Sequence, residues 1–409
     1  MTAGIVITYV DDILVTGNPA VIEPIMVKLK SFWICSKGES TRNGEEIVFC
    51  GLRVRRYRNG SLFLDQEAYA RDVVDRHDLS ASNGSRVPIQ PDEGSTTGDR
   101  GDDTPDPGLP EGEDLMMDAS VRNAQVIAGE LLWLSQRSRP DLAYAVQRCC
   151  SYATTAPERT IRIGKMVLRY LVSTAATGMF YPAAGELLQV RNDFIKKEEH
   201  EPLLLAYDRN AIVGFSDASF ASHGELSFGG FVVAIGGAPV SWKCGKQALS
   251  STSTCETELQ AAQDCHIGVL NVFVLTNELF PARDFEMTLA VDNAATVVML
   301  TSTSASSWRT RHLRVRAQSL VQANKKDVEI VHCPGVVQLG DIMTKAVPFP
   351  RLNLLRLLAM MKASFQDQTP LVLKALRSKK GEKSEKTPSP KASVPEDPQS
   401  NHERAVEQL

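Results

Sequence analysis

Three β-type runs follow one another at residues 211–216, 228–236 and 238–243, and two more, at 286–291 and 327–332, alternate with helical spacing near 255–279, 310–324 and 338–345. This change of grammar constrains the fold more than any other feature. Consecutive strands joined by short turns pair antiparallel, whereas strands separated by a helix return parallel. Residues 203–347 are therefore expected to form an α/β domain: a five-stranded mixed sheet flanked by helices, in which an antiparallel meander is continued by parallel strands.

Four acids in this region stand where strands or helices would present them. Asp217 follows Ile212-Val213-Gly214-Phe215, Glu258 sits in the long helix, Asp292 follows Leu289-Ala290-Val291, and Asp341 lies in the last helix. Any one of them alone reads as a turn former or a helix cap. Their joint order points instead to a shared site, with Asp217 and Asp292 at the ends of neighbouring strands. Residues two apart on a helix point nearly opposite ways, so Glu256 shares a face with Gln260, Gln263 and Asp264, while Glu258 leads into Ala261, Ala262, Cys265 and Val269 and faces the sheet. Four oxygen ligands with no Cys or His among them make a hard-cation site for Mg2+ or Mn2+, suited to phosphodiester hydrolysis.

The preceding half is organised differently. Gly4-Ile5-Val6-Ile7-Thr8-Tyr9-Val10 meets Asp11-Asp12 and resumes as Ile13-Leu14-Val15, a hairpin with acids at its tip. A second hairpin is expected from Ile47 to Leu64 with its turn at Asn59-Gly60, and a helix from Gln66 to His77. Helical spacing returns at 122–152, interrupted by Pro140, and at 157–171. Arg53, Arg55 and Arg56 with Tyr57 form a basic run that reads either as the solvated face of a hairpin or as a track for a phosphate backbone with a stacking ring.

Net charge is a poor guide to partners. The chain carries -4, but residues 92–118 hold ten Asp or Glu and one Arg, leaving about +5 for the remainder. That acidic segment, and the Pro-, Ser- and Lys-containing 366–409 tail, are expected to be flexible. No apolar run reaches the roughly 18 residues of a membrane span, and Met1-Thr2-Ala3-Gly4 lacks a charged leader. An intracellular, non-secreted protein is expected. The eight cysteines lack CxxC spacing, which favours reduced thiols over structural zinc.

Six blocks in order then resemble the ribonuclease H of copia-type LTR retrotransposon Pol polyproteins: Phe215-Ser216-Asp217-Ala218-Ser219, Ser241-Trp242-Lys243 with Gln247, Ser253 to Leu259, Val291-Asp292-Asn293, Arg309-Thr310-Arg311-His312, and Gln338 to Lys345. The resemblance implies a ribonuclease-H-like fold that cuts the RNA strand of an RNA–DNA hybrid. It implies metal binding by Asp217, Glu258, Asp292 and Asp341, and makes His312 a candidate for substrate contact or proton handling, alongside a structural role. The retroviral enzymes carry a His in the loop before the last acid, where this chain has Pro334-Gly335-Val336-Val337.

Upstream, Tyr9-Val10-Asp11-Asp12 resembles the YxDD signature of reverse transcriptases. Phe49-Cys50-Gly51-Leu52 and Gln66-Glu67-Ala68-Tyr69 resemble the primer-grip hairpin and the start of the thumb. Gly129 to Leu134, Arg139 to Val146 and Leu168-Arg169-Tyr170-Leu171 are similar to the helical region joining polymerase to ribonuclease. By that resemblance residues 1–91 are a C-terminal remnant of palm and thumb, 92–118 an insertion, 119–185 a helical connection and 203–347 the ribonuclease. Asp11 and Asp12 would bind metal only with an upstream part supplied by a longer polyprotein or a partner chain, since eight residues precede Tyr9. Two functions stay open: a hybrid-cutting nuclease that binds nucleic acid, and a non-catalytic remnant that at most binds it. Another nuclease or an integrase on a related fold fits the blocks less well.

Overall fold

The computed structural model describes residues 4–41, 45–91, 119–184, 186, 205–220, 227–301 and 311–367. The acidic segment 92–118 and all of the tail past Asp367 lie outside the described residues, as does the side chain of His312.

Strands β1 (Gly4–Tyr9) and β2 (Asp12–Gly17) form the expected N-terminal hairpin, with Tyr9 opposite Asp12 and Val10 at φ 51° in the tight turn. Helix α1 (Pro19–Phe32) follows; Asn18 Oδ1 caps it by accepting from Ala20 N at 3.0 Å, and Pro19 supplies the preset φ of a first turn. Nothing in α1 is buried, and hydrophobic spacing does not predict it.

The expected second hairpin is a three-strand meander of β3 (Glu46–Phe49), β4 (Leu52–Arg56) and β5 (Leu62–Asp65). The additional turn is made by Cys50 and Gly51, both at positive φ (50° and 74°), which sets Phe49 opposite Leu52. Helix α2 (Glu67–Arg76) occupies the predicted span. The helical region consists of α3 (Ala119–Arg137), a 3-10 turn at Pro140–Leu142, α4 (Ala143–Cys150) and α5 (Pro157–Thr174). The break at Pro140 is held by its neighbours. Buried Arg139 donates to both carboxylate oxygens of buried Asp141 at 2.8 and 2.9 Å, and Tyr170 Oη donates to Asp141 from α5 at 2.7 Å.

After β6 (Gly178–Tyr181) come β7 (Ala211–Ser219), β8 (Phe228–Ile235), β9 (Ala238–Lys246), α6 (Thr254–Leu279), β10 (Glu286–Val291), α7 (Ala294–Thr301), α8 (Arg311–Asn324) and β11 (Val328–His332). The chain ends its described course with α9 (Asp341–Thr344), α10 (Phe349–Leu358) and β12 (Met361–Lys362). One sheet has the order β11-β10-β7-β8-β9: β7, β8 and β9 are antiparallel, and β10 runs parallel to both β7 and β11. This is the five-stranded mixed sheet that the run order predicts.

A second sheet, order β12-β6-β5-β4-β3, is antiparallel throughout and draws its strands from three distant parts of the chain. Between the sheets lies a core of Phe63, Phe180, Tyr207, Phe215, Met343 and Leu355. Leu259, Cys265 and Val269 of α6 pack with Ile212, Val233 and Leu289 on the mixed sheet, and a third cluster joins α2 to α5. Each fully buried Leu, Val or Phe contributes about 1.5–3 kcal/mol relative to exposure. The long helix α6 is thereby fixed against the strands whose ends carry the acids. Among the described residues no helix is long and apolar enough to cross a membrane.

Candidate metal centre

Parallel pairing of β7 with β10 sets Val291 beside Ser216, so the next residue on each strand, Asp217 and Asp292, emerge side by side. Glu258 arrives from the second turn of α6, whose start is fixed by the N-cap Ser253 and by Glu256 reaching back to the residue before it. Ser253 Oγ accepts from Glu256 N at 3.2 Å, and the Glu256 carboxylate accepts from Thr252 N at 2.8 Å. Glu256 is thereby engaged at the helix start, and Glu258 is the acid of this pair that reaches the strand ends. Asp217, Glu258 and Asp292 each offer an oxygen within 4.8 Å of the others, and among the described residues no other group of three His, Cys, Asp or Glu does so.

Asp341, the fourth acid expected at the site, is not in that group of three and is carried by α9. Gln338 anchors that turn by donating Nε2 to Ser216 O at 3.0 Å while its Oε1 accepts from Gly340 N at 3.0 Å. Gly340 presses so closely on β7 that a Cβ there would lie 2.7 Å from Asp217 Cβ and 2.9 Å from Asp217 N. Lys345 joins the two acids, its Nζ 3.0 Å from Asp217 Oδ1 and 2.9 Å from Asp341 Oδ1. Thr344 Oγ1 donates to the other oxygen of Asp217, and Arg351 Nη2 meets Asp341 Oδ2 at 2.9 Å.

The electrostatics are those of a site short of positive charge. Burial, opposed by Lys345 but reinforced by Asp341 and Asp292, pushes the Asp217 carboxyl up to about 7. Burial, with Asp217 and Asp292 close by, pushes Glu258 up to about 9, and Asp292 is also raised, chiefly by burial. Burial lowers the Lys345 ammonium, but Asp217 and Asp341 more than offset it, so its net shift is upward. Glu258 Oε2 and Asp292 Oδ1 are buried without any hydrogen-bond donor. Buried carboxylate oxygens without donors are costly, and a divalent cation is the partner that would satisfy several together. The residues present fit an oxygen-ligated Mg2+ or Mn2+.

The other candidate residues lie elsewhere. Asp11 and Asp12 are exposed at the tip of the N-terminal hairpin, and among the described residues no third acidic, His or Cys ligand joins them. Arg53 binds Asp65 through Nε and Nη2 at 3.1 and 2.7 Å and Glu67 at 2.8 Å. Arg55 binds Asp65 at 2.7 Å and lies over the Phe365 ring. Tyr57 stacks on Phe365 at 4.5 Å and donates its hydroxyl to the Phe365 carbonyl. Of the run, Arg56 is the exposed member, with Arg58 exposed beyond it.

Residues with a place at the site that spacing did not single out are Lys345, Thr344, Gln338, Arg351 and His332, whose Nε2 is 3.1 Å from the Asp292 carbonyl. The signal for Lys345 was available: it stands four residues after Asp341, the spacing of a helical ion pair. Trp242 is a tie between parts of the molecule, donating Nε1 to Ser135 O of α3 at 2.8 Å.

No protein-family model matches the chain. It is similar to the retrovirus-related Pol polyprotein from transposon RE1 of Arabidopsis thaliana, 25% identical over 344 residues, which are 83% of this chain and 20% of that polyprotein. It is similar to a putative transposon Ty5-1 protein of Saccharomyces cerevisiae, 23% identical over 245 residues, 58% of this chain and 64% of that protein. An uncharacterized mitochondrial protein of Arabidopsis thaliana is 23% identical over 263 residues, 62% of this chain and 88% of its own length. The chain thus spans about a fifth of the RE1 and RE2 transposon polyproteins it matches.

Proposed function

This chain is a relative of the copia-type retrovirus-related Pol polyproteins, and from that premise we propose that residues 203–347 are a ribonuclease-H-like unit that hydrolyses the RNA strand of an RNA–DNA hybrid using Mg2+ or Mn2+. The observation that carries this reading is the convergence of Asp217, Glu258 and Asp292 from two parallel strands and a helix, with two of their oxygens buried and without donors. The strand order β11-β10-β7-β8-β9 supports the fold assignment.

Asp217, Glu258 and Asp292 would hold the divalent ions, with Asp341 at the rim. When bound, such ions activate water and stabilise the charge developing on the phosphoryl and leaving oxygens. The chain's own residues do the rest. Thr344 fixes the orientation of Asp217, Gln338 ties α9 to the end of β7, and Asn293 starts α7 just past Asp292 by accepting from Thr296 N at 3.0 Å. Hybrid recognition would come from backbone geometry and the 2′-hydroxyl. His312 is retained as a candidate for substrate contact, and the N-terminal hairpin with Asp11 and Asp12 as a palm-type hairpin that acts only within a larger polyprotein.

A second reading, a truncated or host-adopted non-catalytic remnant that at most binds nucleic acid, is favoured by Asp341 having both oxygens held by Lys345 and Arg351. Cleavage of a labelled hybrid, with single- and double-stranded RNA as controls, separates the two. Metal-dependent cutting of the hybrid alone, lost by at least about a hundredfold in Asp292→Asn, supports the nuclease. A well-folded chain that cuts nothing with either ion replaces it by the remnant.

A further inference from the structure

The candidate centre has two unlike edges. Along one, Glu258 Oε2 and Asp292 Oδ1 are buried without donors. Along the other, Lys345 Nζ lies 3.0 Å from Asp217 Oδ1 and 2.9 Å from Asp341 Oδ1. Asp217 belongs to both edges, and it is fully buried. A hard divalent ion coordinates carboxylate oxygen at about 2.0–2.1 Å. An ion held by Asp217, Glu258 and Asp292 would therefore come within a few ångströms of the Lys345 ammonium, on the same carboxylate. Two cations that close, partly shielded from water, repel strongly.

The two basic side chains here are not equivalent. The Arg351 guanidinium is 20% exposed, donates to the carbonyls of Gly335 and Val336, and pins Asp341 at 2.9 Å. Lys345 is 41% exposed and its contacts at this site are to the two carboxylates. Its stem is flexible and its ammonium is readily hydrated, so it can swing into solvent without disturbing α9. Asp341 would keep Arg351 when Lys345 leaves.

We infer that Lys345 is a built-in counter-cation on the Asp217–Asp341 edge of the centre, which an entering divalent ion must displace, so that metal loading is a cation exchange whose affinity Lys345 sets. The inference rests on the metal-centre reading above. No bond is made or broken in the exchange; one charge moves out to water as two arrive. A neighbouring charge at this range changes the affinity of a bound proton by about 10- to 1,000-fold, and partial exposure puts Lys345 at the low end.

The test is Mn2+ binding to the full chain, followed by the paramagnetic resonance of free Mn2+, for wild type, Lys345→Met and Asp217→Asn. Lys345→Met keeps the apolar stem and deletes the charge. Its Mn2+ dissociation constant is expected to fall about tenfold, with a larger metal-induced rise in melting temperature than wild type shows. Unchanged or weaker binding overturns the exchange while leaving the centre intact, provided wild type binds Mn2+ and Asp217→Asn does not. Absence of binding in wild type, or binding that survives Asp217→Asn, sinks the centre itself and the exchange with it. If Lys345→Met is unfolded without metal, folding on addition of Mn2+ supports the exchange, and failure to fold in both states overturns it. Lys345→Gln, which keeps a donor toward Asp217, is expected to tighten binding in the same direction.

Discussion

Gly340→Ala places two effects of opposite sign in direct competition. Gly340 sits at φ -58° and ψ -26°, a conformation that any residue adopts. On backbone grounds alone, Ala there would stabilise by about 0.4–1 kcal/mol through the unfolded chain. The new Cβ, however, would lie 2.7 Å from Asp217 Cβ, 2.9 Å from Asp217 N and 3.1 Å from Ser216 C. Two of those atoms belong to the backbone of the sheet's middle strand, which is paired on both sides and cannot retreat. Overpacking of this kind costs about 1–3 kcal/mol, so the net is a loss of about 1–2 kcal/mol. For a domain of this size that lowers the melting temperature by about 2–8 °C. Because α9 has to move away from β7, the Thr344 and Lys345 contacts to Asp217 loosen and the response to Mn2+ changes as well. Gly129→Ala is the control: it lies exposed in α3 with nothing within 4 Å of its Cβ position, and should raise the melting temperature through a gain of about 1 kcal/mol. Thermal melts followed by circular dichroism, in chelator and in Mn2+, decide the matter. A Gly340→Ala protein as stable as wild type would refute the close-contact reasoning.

Arg139→Met should cost about 3–5 kcal/mol, because it leaves the Asp141 carboxylate buried with its main partner gone; urea unfolding measures this, and the double variant Arg139→Met, Asp141→Leu should recover part of it. Metal-free stability should fall as pH rises. Glu258 and Asp217 are raised from their ordinary 4.5 and 3.8 to about 9 and about 7, so the folded chain keeps protons that the unfolded chain releases. Their contribution is complete below about pH 4 and is lost through about 7 and then about 9. In chelator the melting temperature should drop across that window, and Glu258→Gln should flatten the slope. Arg53→Ala should destabilise by about 1.5–3 kcal/mol, since it strips charged hydrogen bonds from buried Asp65; Arg56→Ala should leave stability within about 0.5 kcal/mol and, if the basic run tracks phosphates, lower the salt slope of hybrid binding by about 1.

Long periodic elements were legible from spacing. The α6 pattern and the five strands of the mixed sheet lie within a few residues of their predicted spans, because each is long or sits beside a clear turn. The second sheet was not legible. Its strands β6 and β12 have four and two residues, too few for a period to show, and the meander depends on a Cys50 at positive φ that no β-preference signals. The same limit applies to function-bearing side chains. Helix geometry by itself separates Glu256 from Glu258, because two residues differ by about 200° around a helix. That Arg53 lies opposite Asp65 follows only once the β4–β5 register is fixed, and an exposed-looking basic run then proves to be largely internal bonding. The pairing of Lys345 with Asp341 is local, but its reach to Asp217 exists only because Gly340 lets α9 touch β7.

The sheet built from β12, β6, β5, β4 and β3 also bears on how the chain can be made. Synthesis runs from the N-terminus, so of these strands β3, β4 and β5 leave the ribosome first, β6 follows after the whole helical region, and β12 comes only with Met361 and Lys362. Until then Phe63 and Phe180 lack the cover of Leu355 and Met360, which lie in the same cluster. The intervening β7–β11 sheet must therefore assemble beside a partner whose edge is still open. A nascent chain stalled before Phe349 would present that apolar edge to solvent, to chaperones or to another nascent chain. The order of translation makes the stretch from Phe349 to Lys362 the step that completes this sheet.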